Sequence, residues 1–359
     1  MSKKPTAAQS VDESSDFKHI FNKKVIGKGA IWLSLITVGS MAAVFFYNNT
    51  ENSLSAFSRV KPVFMVLCLA MVFCDLMLGS WRNHIFIRKL YPVLSHWVSF
   101  RANVANMFMG AVTPFHSGAG PGQLYVYNRN GVKVLDGFIV SLINMGSTLI
   151  FMPIAGLISI LYMNDQFEQN MVSTLLKFGF TVFLTFLLVF ILAFFKPVLL
   201  GKLINFITKS LGKVFISRRT NLDLWSEKSN HNILNYQQIC KKLLNEQPWL
   251  FTQSLIITTL LYLNKYCMQY VILSGLGISS NLIEVISIQV LIQFMIYFAP
   301  SPGGSGFAEA GIAILFSKIV PESALSVFTL LQRSFLLFIP AVIGAVVVIN
   351  LLSKHTQEE

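Results

Sequence analysis

Long apolar blocks alternate with short polar segments along this chain, without the spacing of amphipathic surface helices. A helix needs about 20 apolar residues to cross the roughly 30 Å hydrocarbon core of a membrane. Blocks close to or above that length lie at about 29–47, 62–80, 135–163, 171–195, 248–276, 283–299 and 323–352. The pattern predicts an all-α, polytopic integral membrane protein with one full span in each block.

Two further apolar stretches are interrupted by proline and glycine, about 186 residues apart. TPFHSGAGPGQ at 113–123 follows an apolar segment, 102–112, that is too short to span, and APSPGGSGFAEAG at 299–311 precedes a similar one. Interrupted segments at corresponding positions in two halves of a chain are typical of transporter binding sites. We therefore predict two pseudo-repeated halves, 29–195 and 248–352, around a central cavity. The sequence leaves open whether the broken segments re-enter the membrane or complete a crossing.

The second broken segment has the residues needed to stop one helix and start another. Pro300 and Pro302 remove backbone donors and disfavour helix before them, and the glycines that follow permit a turn with positive φ. A new helix can then begin near Ser305, and its free N–H groups would attract an anion. The alternative is a tight turn whose small residues serve close helix packing.

Charge is scarce and unevenly distributed. The chain is 54% hydrophobic and 12% charged, with mean hydropathy +0.61 and net charge +12. Basic residues concentrate in the N-terminal tail, 1–28, and in 196–247, as expected of cytoplasmic segments. This placement favours anionic lipid head groups over nucleic acid as partners. The start of 196–247 predicts a helix lying on the membrane surface or packed on neighbouring loops, and 353–359 is a short tail.

Ionisable residues inside spans are functional candidates because burying them unpaired is costly. Lys265 and Arg333 could face a cavity and bind a lipid phosphate, since Arg suits bidentate phosphate contact. The alternative is internal pairing of these cations with Glu309 or Asp75. The candidate substrate-binding set is Asp75, His116, Ser117, Gly118, Gln123, Lys265, Gly303, Gly304, Ser305, Gly306, Glu309, Gln332 and Arg333.

The stretches TPFHSGAGPGQLYVYNRNGV and PSPGGSGFAEAG resemble the two signature regions of the lysylphosphatidylglycerol synthase transmembrane-region family, also called flippase-like. The resemblance covers roughly 25–352 and implies a membrane protein of lipid head-group handling. We expect a stand-alone member without the aminoacyl-transfer domain of the fused synthases. Ala119 and Gly120 stand where many relatives carry an acidic residue, so the resemblance implies no carboxylate role there.

Three functions are compatible with these features. The leading one is a lipid transporter or flippase for an anionic or polyprenyl-phosphate-type lipid. The others are a membrane enzyme that modifies a lipid head group, with Glu309 or Asp75 as its acid, and a non-transporting partner of a separate lipid-modifying enzyme. We expect a transporter rather than an enzyme, in a bacterial cytoplasmic membrane with a cytoplasmic N-terminus.

No motif for a cofactor or metal is recognisable. The four cysteines form no CxxC pair, and HExxH, GxSxG and Walker sequences are absent from the chain. The lipid, the direction of transport, its coupling and the oligomeric state stay open at this point.

Overall fold

The computed structural model describes residues 23–47, 60–162, 170–195, 239, 243, 246–297 and 299–358. All regular elements within this part of the chain are helical. They are α1 (Lys23–Tyr47), α2 (Pro62–Leu90), α3 (His96–Val112), α4 (Ala119–Arg129), α5 (Val134–Tyr162), α6 (Asn170–Phe195), α7 (Pro248–Gly275), α8 (Leu282–Tyr297), α9 (Phe307–Phe316), α10 (Glu322–Arg333) and α11 (Ile339–Glu358). A π-helical turn, Ser334–Phe338, joins α10 to α11 without a break.

The fold class is confirmed as that of an all-α membrane protein. Within the described residues, Pro62–Leu90, Val134–Tyr162 and Glu322–Ser353 are long and apolar enough to cross a membrane. The predicted bounds of α5, α6 and α7 match the structure to within one residue. Nearly all of the basic region 196–247 and most of the N-terminal tail lie outside the described residues, so the predicted surface helix stays a prediction.

Two helices extend further than the sequence predicted. α1 begins at Lys23 rather than at 29, and α2 continues to Leu90, beyond the predicted end of its apolar block at about 80. The expectation for α2 was wrong because Arg82 and Asn83 read as loop residues. In the structure Asn83 is buried and Arg82 partly buried, since both contact neighbouring helices.

α3 and α4 form the first of two helical hairpins. The chain reverses at 113–118, and the two arms are packed closely along their lengths. A Cβ on Gly122 of α4 would lie 2.8 Å from the Met109 side chain and 3.0 Å from the Ala105 carbonyl oxygen of α3. α3 and α4 can approach this closely only because Gly122 has no side chain.

α8 and α9 form the second hairpin, which reverses at 301–306. Gly311 of α9 lies against Met295 and Ile292 of α8, so the arms are antiparallel. The predicted span 283–299 corresponds to α8. α8 has 16 residues, about 24 Å of helix at 1.5 Å per residue, and the chain then turns back.

The two hairpins belong to an internal repeat. When the first half is shifted along the sequence so that Pro114 aligns with Pro302, α2 aligns with α7, α3 with α8, α4 with α9, and α5 with the continuous helix α10–α11. The starts of the helices in each pair then agree to within two residues. The repeat unit in the structure therefore runs from α2 to α5 and from α7 to α11. It is shorter than the predicted halves, because α1 and α6 lie outside it.

The two repeats run in opposite directions. α2 and α7 are antiparallel, since Lys61 N donates to Gly275 O (3.2 Å) at one end and Arg82 reaches Thr258 at the other. The first hairpin begins just after α2 ends, and the second begins just after α7 ends. The bases of the hairpins therefore lie at opposite ends of the α2–α7 pair.

The first hairpin is held against α11 by a close backbone approach. A Cβ at Gly344 would lie 2.1 Å from the carbonyl oxygen of Val104 and 2.7 Å from the Cβ of Phe108. These atoms belong to the backbone and the base of a side chain, so they cannot rotate away.

We expect Gly344→Ala to lower the free energy of unfolding by about 1–3 kcal/mol, the usual cost of overpacking. Gly120→Ala is the matched control, because nothing lies within 4 Å of a Cβ added there. Thermal unfolding in detergent measures both variants. Equal unfolding temperatures for the two would contradict the close approach of α3 and α11.

Candidate functional site

The tips of the two hairpins, residues 113–118 and 301–306, contact each other; the second tip is mostly buried, and most of the first is exposed or partly exposed. Both tips have two consecutive residues of positive φ after a proline, and their backbones diverge at the serine that follows, which is helical at Ser117 and extended at Ser305. Phe115 and His116 have φ of 53° and 54°, and Gly303 and Gly304 have 60° and 66°. Each tip then ends in Ser-Gly before the next helix begins.

The first tip adopts this conformation with two residues that have side chains. Left-handed backbone costs a non-glycine residue roughly 1–2 kcal/mol, so neighbouring bonds must hold Phe115 and His116 in place. Thr113 supplies two of these bonds, because its hydroxyl donates to Met109 O (2.6 Å) and accepts from Gly118 N (2.8 Å). Phe115 itself is 62% exposed.

Arg333, at the end of α10, holds the second tip. Its Nη2 donates to the carbonyl oxygen of Gly303 (3.1 Å) and to the hydroxyl of Ser305 (2.9 Å). The Ser305 hydroxyl also lies 2.8 Å from that of Thr37 in α1. The guanidinium thus satisfies a carbonyl that the turn has removed from helical bonding.

Glu309 completes this arrangement from the first turn of α9. Its Oε2 accepts from the backbone N–H of Gly306 (2.6 Å), which caps the helix. Its Oε1 lies 2.9 Å from Nε of Arg333, but both atoms lack hydrogen-bond geometry, so the contact is ionic. The two side chains are 1% and 6% exposed. Glu309 and Arg333 therefore form the internal pair that the sequence left as an alternative.

Lys265 and Asp75 form a second pair, between α7 and α2. Lys265 Nζ lies 3.6 Å from Asp75 Oδ2, and the side chains are 24% and 7% exposed. Asp75 Oδ1 is buried without a hydrogen-bond partner. His116 lies close enough to Lys265 and Arg333 to interact with both charges, so the two ion pairs and the first tip share one electrostatic environment.

Of the remaining predicted residues, some lie near the tips and the ion pairs, and others lie away from them. Gln332 donates to Gln289 (2.7 Å), and Ser117 is exposed. Gln123 accepts from Asn106 (3.1 Å) and donates to Asn83 and Ser141, away from the tips. Gln123 and Glu309 are therefore not equivalent, although both follow the glycines of a broken segment.

Sequence reasoning missed Arg82. It projects from α2 between α5 and α7, where Nη1 lies 3.4 Å from Thr148 Oγ1 and 3.3 Å from Thr258 Oγ1. Next to it, Asn144 donates to Asn83 (2.7 Å) and accepts from Ser254 (3.0 Å). The signal available in the sequence was the apolar run that continues after Asn83, which is compatible with a longer helix.

A cavity of about 550 Å³ opens on another face of α2, near the start of α3. Its lining changes from apolar to cationic along α2 and includes Cys74, Met77, Leu78, Trp81, His84, Arg88 and His96. No residue of either tip lines this cavity. The second tip is instead packed around Arg333.

An all-α membrane protein with an inverted repeat of broken hairpins is the class that this fold and site define. The chain belongs to the family described as "Lysylphosphatidylglycerol synthase TM region", whose profile matches residues 31–344. It is also similar to a "UPF0104 membrane protein" of Archaeoglobus fulgidus, with 21% identity over 308 residues, 83% of this chain and 90% of the relative. The predicted family is therefore confirmed.

We expect Arg333→Met to be strongly destabilising, by about 3–5 kcal/mol, because it leaves the Glu309 carboxylate buried and unpaired. Glu309→Gln keeps the acceptor for Gly306 N–H and should restore part of the loss when combined with Arg333→Met. Thermal unfolding of both single variants and the double variant gives the coupling energy. Lys89→Gln, exposed at the end of α2, controls for loss of charge. Additive losses would contradict the ion pair.

Proposed function

We propose that this protein is a lipid transporter of the flippase type, which binds the head group of an anionic or polyprenyl-phosphate-type lipid in the membrane interior. The observation that carries the proposal is the meeting of two oppositely directed hairpin tips at buried ionisable residues. In this proposal both hairpins are re-entrant: each enters from one side of the membrane and returns to it.

The physical support is the placement of irregular backbone. Bare N–H and C=O groups are not tolerated in lipid, but they are tolerated where protein buries them or where they line a wet path. Inverted repeats with broken helices near the bilayer midplane are typical of secondary transporters. The start of α4 also directs free N–H groups toward the tips, where an anion is favoured; at the start of α9 the Glu309 carboxylate already takes that place.

The proposed orientation places the base of the first hairpin in the cytoplasm. Basic residues cluster there, at the end of α2, in α3 and before α5. The cluster includes Arg88, Lys89, Arg101 and Lys133. By the positive-inside rule this end faces the cytoplasm. In this orientation the start of α2 is external, so α1, if it crosses the membrane, begins on the cytoplasmic side and the N-terminus is cytoplasmic.

In this structure the second tip is packed against its neighbours and leaves no opening for a head group. Gly303, Gly304, Ser305 and Glu309 are all buried. Under the proposal, transport therefore requires the second tip to separate from α1 and α10 and then to close again.

A reversible disulfide lock tests this requirement. The hydroxyl oxygens of Thr37 and Ser305 lie 2.8 Å apart, so Thr37→Cys with Ser305→Cys, in a background without the native cysteines, should permit a disulfide. In vesicles with fluorescent phosphatidylglycerol, we expect the oxidised variant to flip lipid at least about tenfold more slowly than its reduced form; such a loss corresponds to about 1.4 kcal/mol in the barrier. The cysteine-free background should flip lipid at the same rate under both conditions.

Equal rates with and without the disulfide would contradict tip opening. No acceleration of flipping over protein-free vesicles, for phosphatidylglycerol and for a polyprenyl phosphate, would count against transport itself.

One observation favours a second candidate, a non-transporting partner of a separate lipid-modifying enzyme. Lys265 and Arg333 are both paired with carboxylates, which leaves neither cation with a free charge in this conformation. A partner would show no flipping in vesicles but would increase the turnover of the enzyme with which it co-purifies.

A further inference from the structure

Arg82 differs from the other two cations of the interior in having no carboxylate partner. Lys265 contacts Asp75 and Arg333 contacts Glu309. Among the described residues, Arg82 contacts only the hydroxyls of Thr148 and Thr258, at the long end of hydrogen-bond distance. Its Nε is buried and has no hydrogen-bond partner.

These contacts leave one positive charge uncompensated in the described interior. Arg82, Lys265 and Arg333 stand against Asp75 and Glu309. The charge of Arg82 also acts on Asp75, but the ion-pair contacts of the two carboxylates are with Lys265 and Arg333. Removing a cation from water without a counter-charge costs several kcal/mol, and a charged side chain within a membrane span faces a partner or a functional cavity as a rule. An anion bound from outside the described residues would supply that partner.

The groups around Arg82 suit such an anion. Thr258 presents a hydroxyl that donates as readily as it accepts. The Thr148 hydroxyl, which contacts the same guanidinium nitrogen, donates through a long bond to Asn144 O (3.4 Å) that a nearer acceptor can replace. A guanidinium also matches the geometry of phosphate oxygens with its fork of N–H donors.

We propose that Arg82 binds a phosphate group between α2, α5 and α7, with the Thr148 and Thr258 hydroxyls as further donors. This inference rests on the proposed function and deepens it, because it locates the anionic part of the transported head group. The phosphate belongs to a membrane lipid or is free in solution, and the experiment separates these sources.

The test measures thermal unfolding of the full chain in a neutral detergent with added phosphatidylglycerol, phosphatidylcholine or inorganic phosphate. We expect phosphatidylglycerol to raise the unfolding temperature of the wild type by on the order of 2–4 °C. Stabilisation by phosphatidylglycerol alone identifies a lipid head group, and stabilisation by inorganic phosphate as well identifies the phosphate itself. Equal stabilisation by zwitterionic phosphatidylcholine would overturn the proposal.

Two variants separate a binding arginine from a structural one. Arg82→Met removes the uncompensated charge, so without lipid it should unfold at or above the wild-type temperature and should gain nothing from phosphatidylglycerol. Thr258→Asp places a carboxylate beside Arg82, so it should likewise be stable alone and insensitive to lipid. Arg88→Met, at an exposed position less than two helical turns further along α2, is the control and should keep the wild-type gain.

Two further results would overturn the proposal. One is a wild type that neither phosphatidylglycerol nor inorganic phosphate stabilises, and the other is full lipid stabilisation in both Arg82→Met and Thr258→Asp. The assay measures binding and not transport. Stabilisation that depends on Arg82 without any flipping in vesicles would refute the transporter and leave this site in place.

Discussion

A chain that reverses inside a helical membrane protein must find partners for the backbone groups that the reversal exposes. Here a single guanidinium meets much of that demand, because Arg333 binds Gly303 O and the Ser305 hydroxyl while it pairs with Glu309. Glu309 in turn caps α9 through Gly306 N–H. The second tip, the start of α9 and the end of α10 therefore depend on one buried ion pair.

The inverted repeat explains why two tips meet at all. Hairpins that enter from opposite ends of an antiparallel α2–α7 pair bring their turns to the same depth, where they contact each other. Neither half could shelter its own tip, because each tip packs against the other repeat and the second also packs against α1. The arrangement requires both repeats to be folded before either turn is protected from lipid.

The sequence predicted the broken segments well, because proline and glycine at these positions have few structural meanings. It could not assign the ion pairs: Lys265 and Arg333 each had two possible carboxylates, and only the antiparallel packing of α2 and α7 brings Lys265 to Asp75. It placed Arg82 in a loop, since the polar run Arg82-Asn83-His84 resembles the end of a span. It also predicted a span at α8, because a mostly apolar helix of 16 residues approaches the length at which a crossing and a hairpin arm look alike.

The two tips share a pair of left-handed residues, but they differ in the space available for side chains at that pair. Phe115 points its ring outward, whereas a Cβ at Gly303 would meet Leu33, Leu337 and the Ala111 carbonyl oxygen at 3.0, 3.1 and 3.3 Å. Over evolutionary time the first turn can therefore drift in composition while the second stays confined to glycine. Distant proteins of this architecture should be easier to detect by the second turn than by the first.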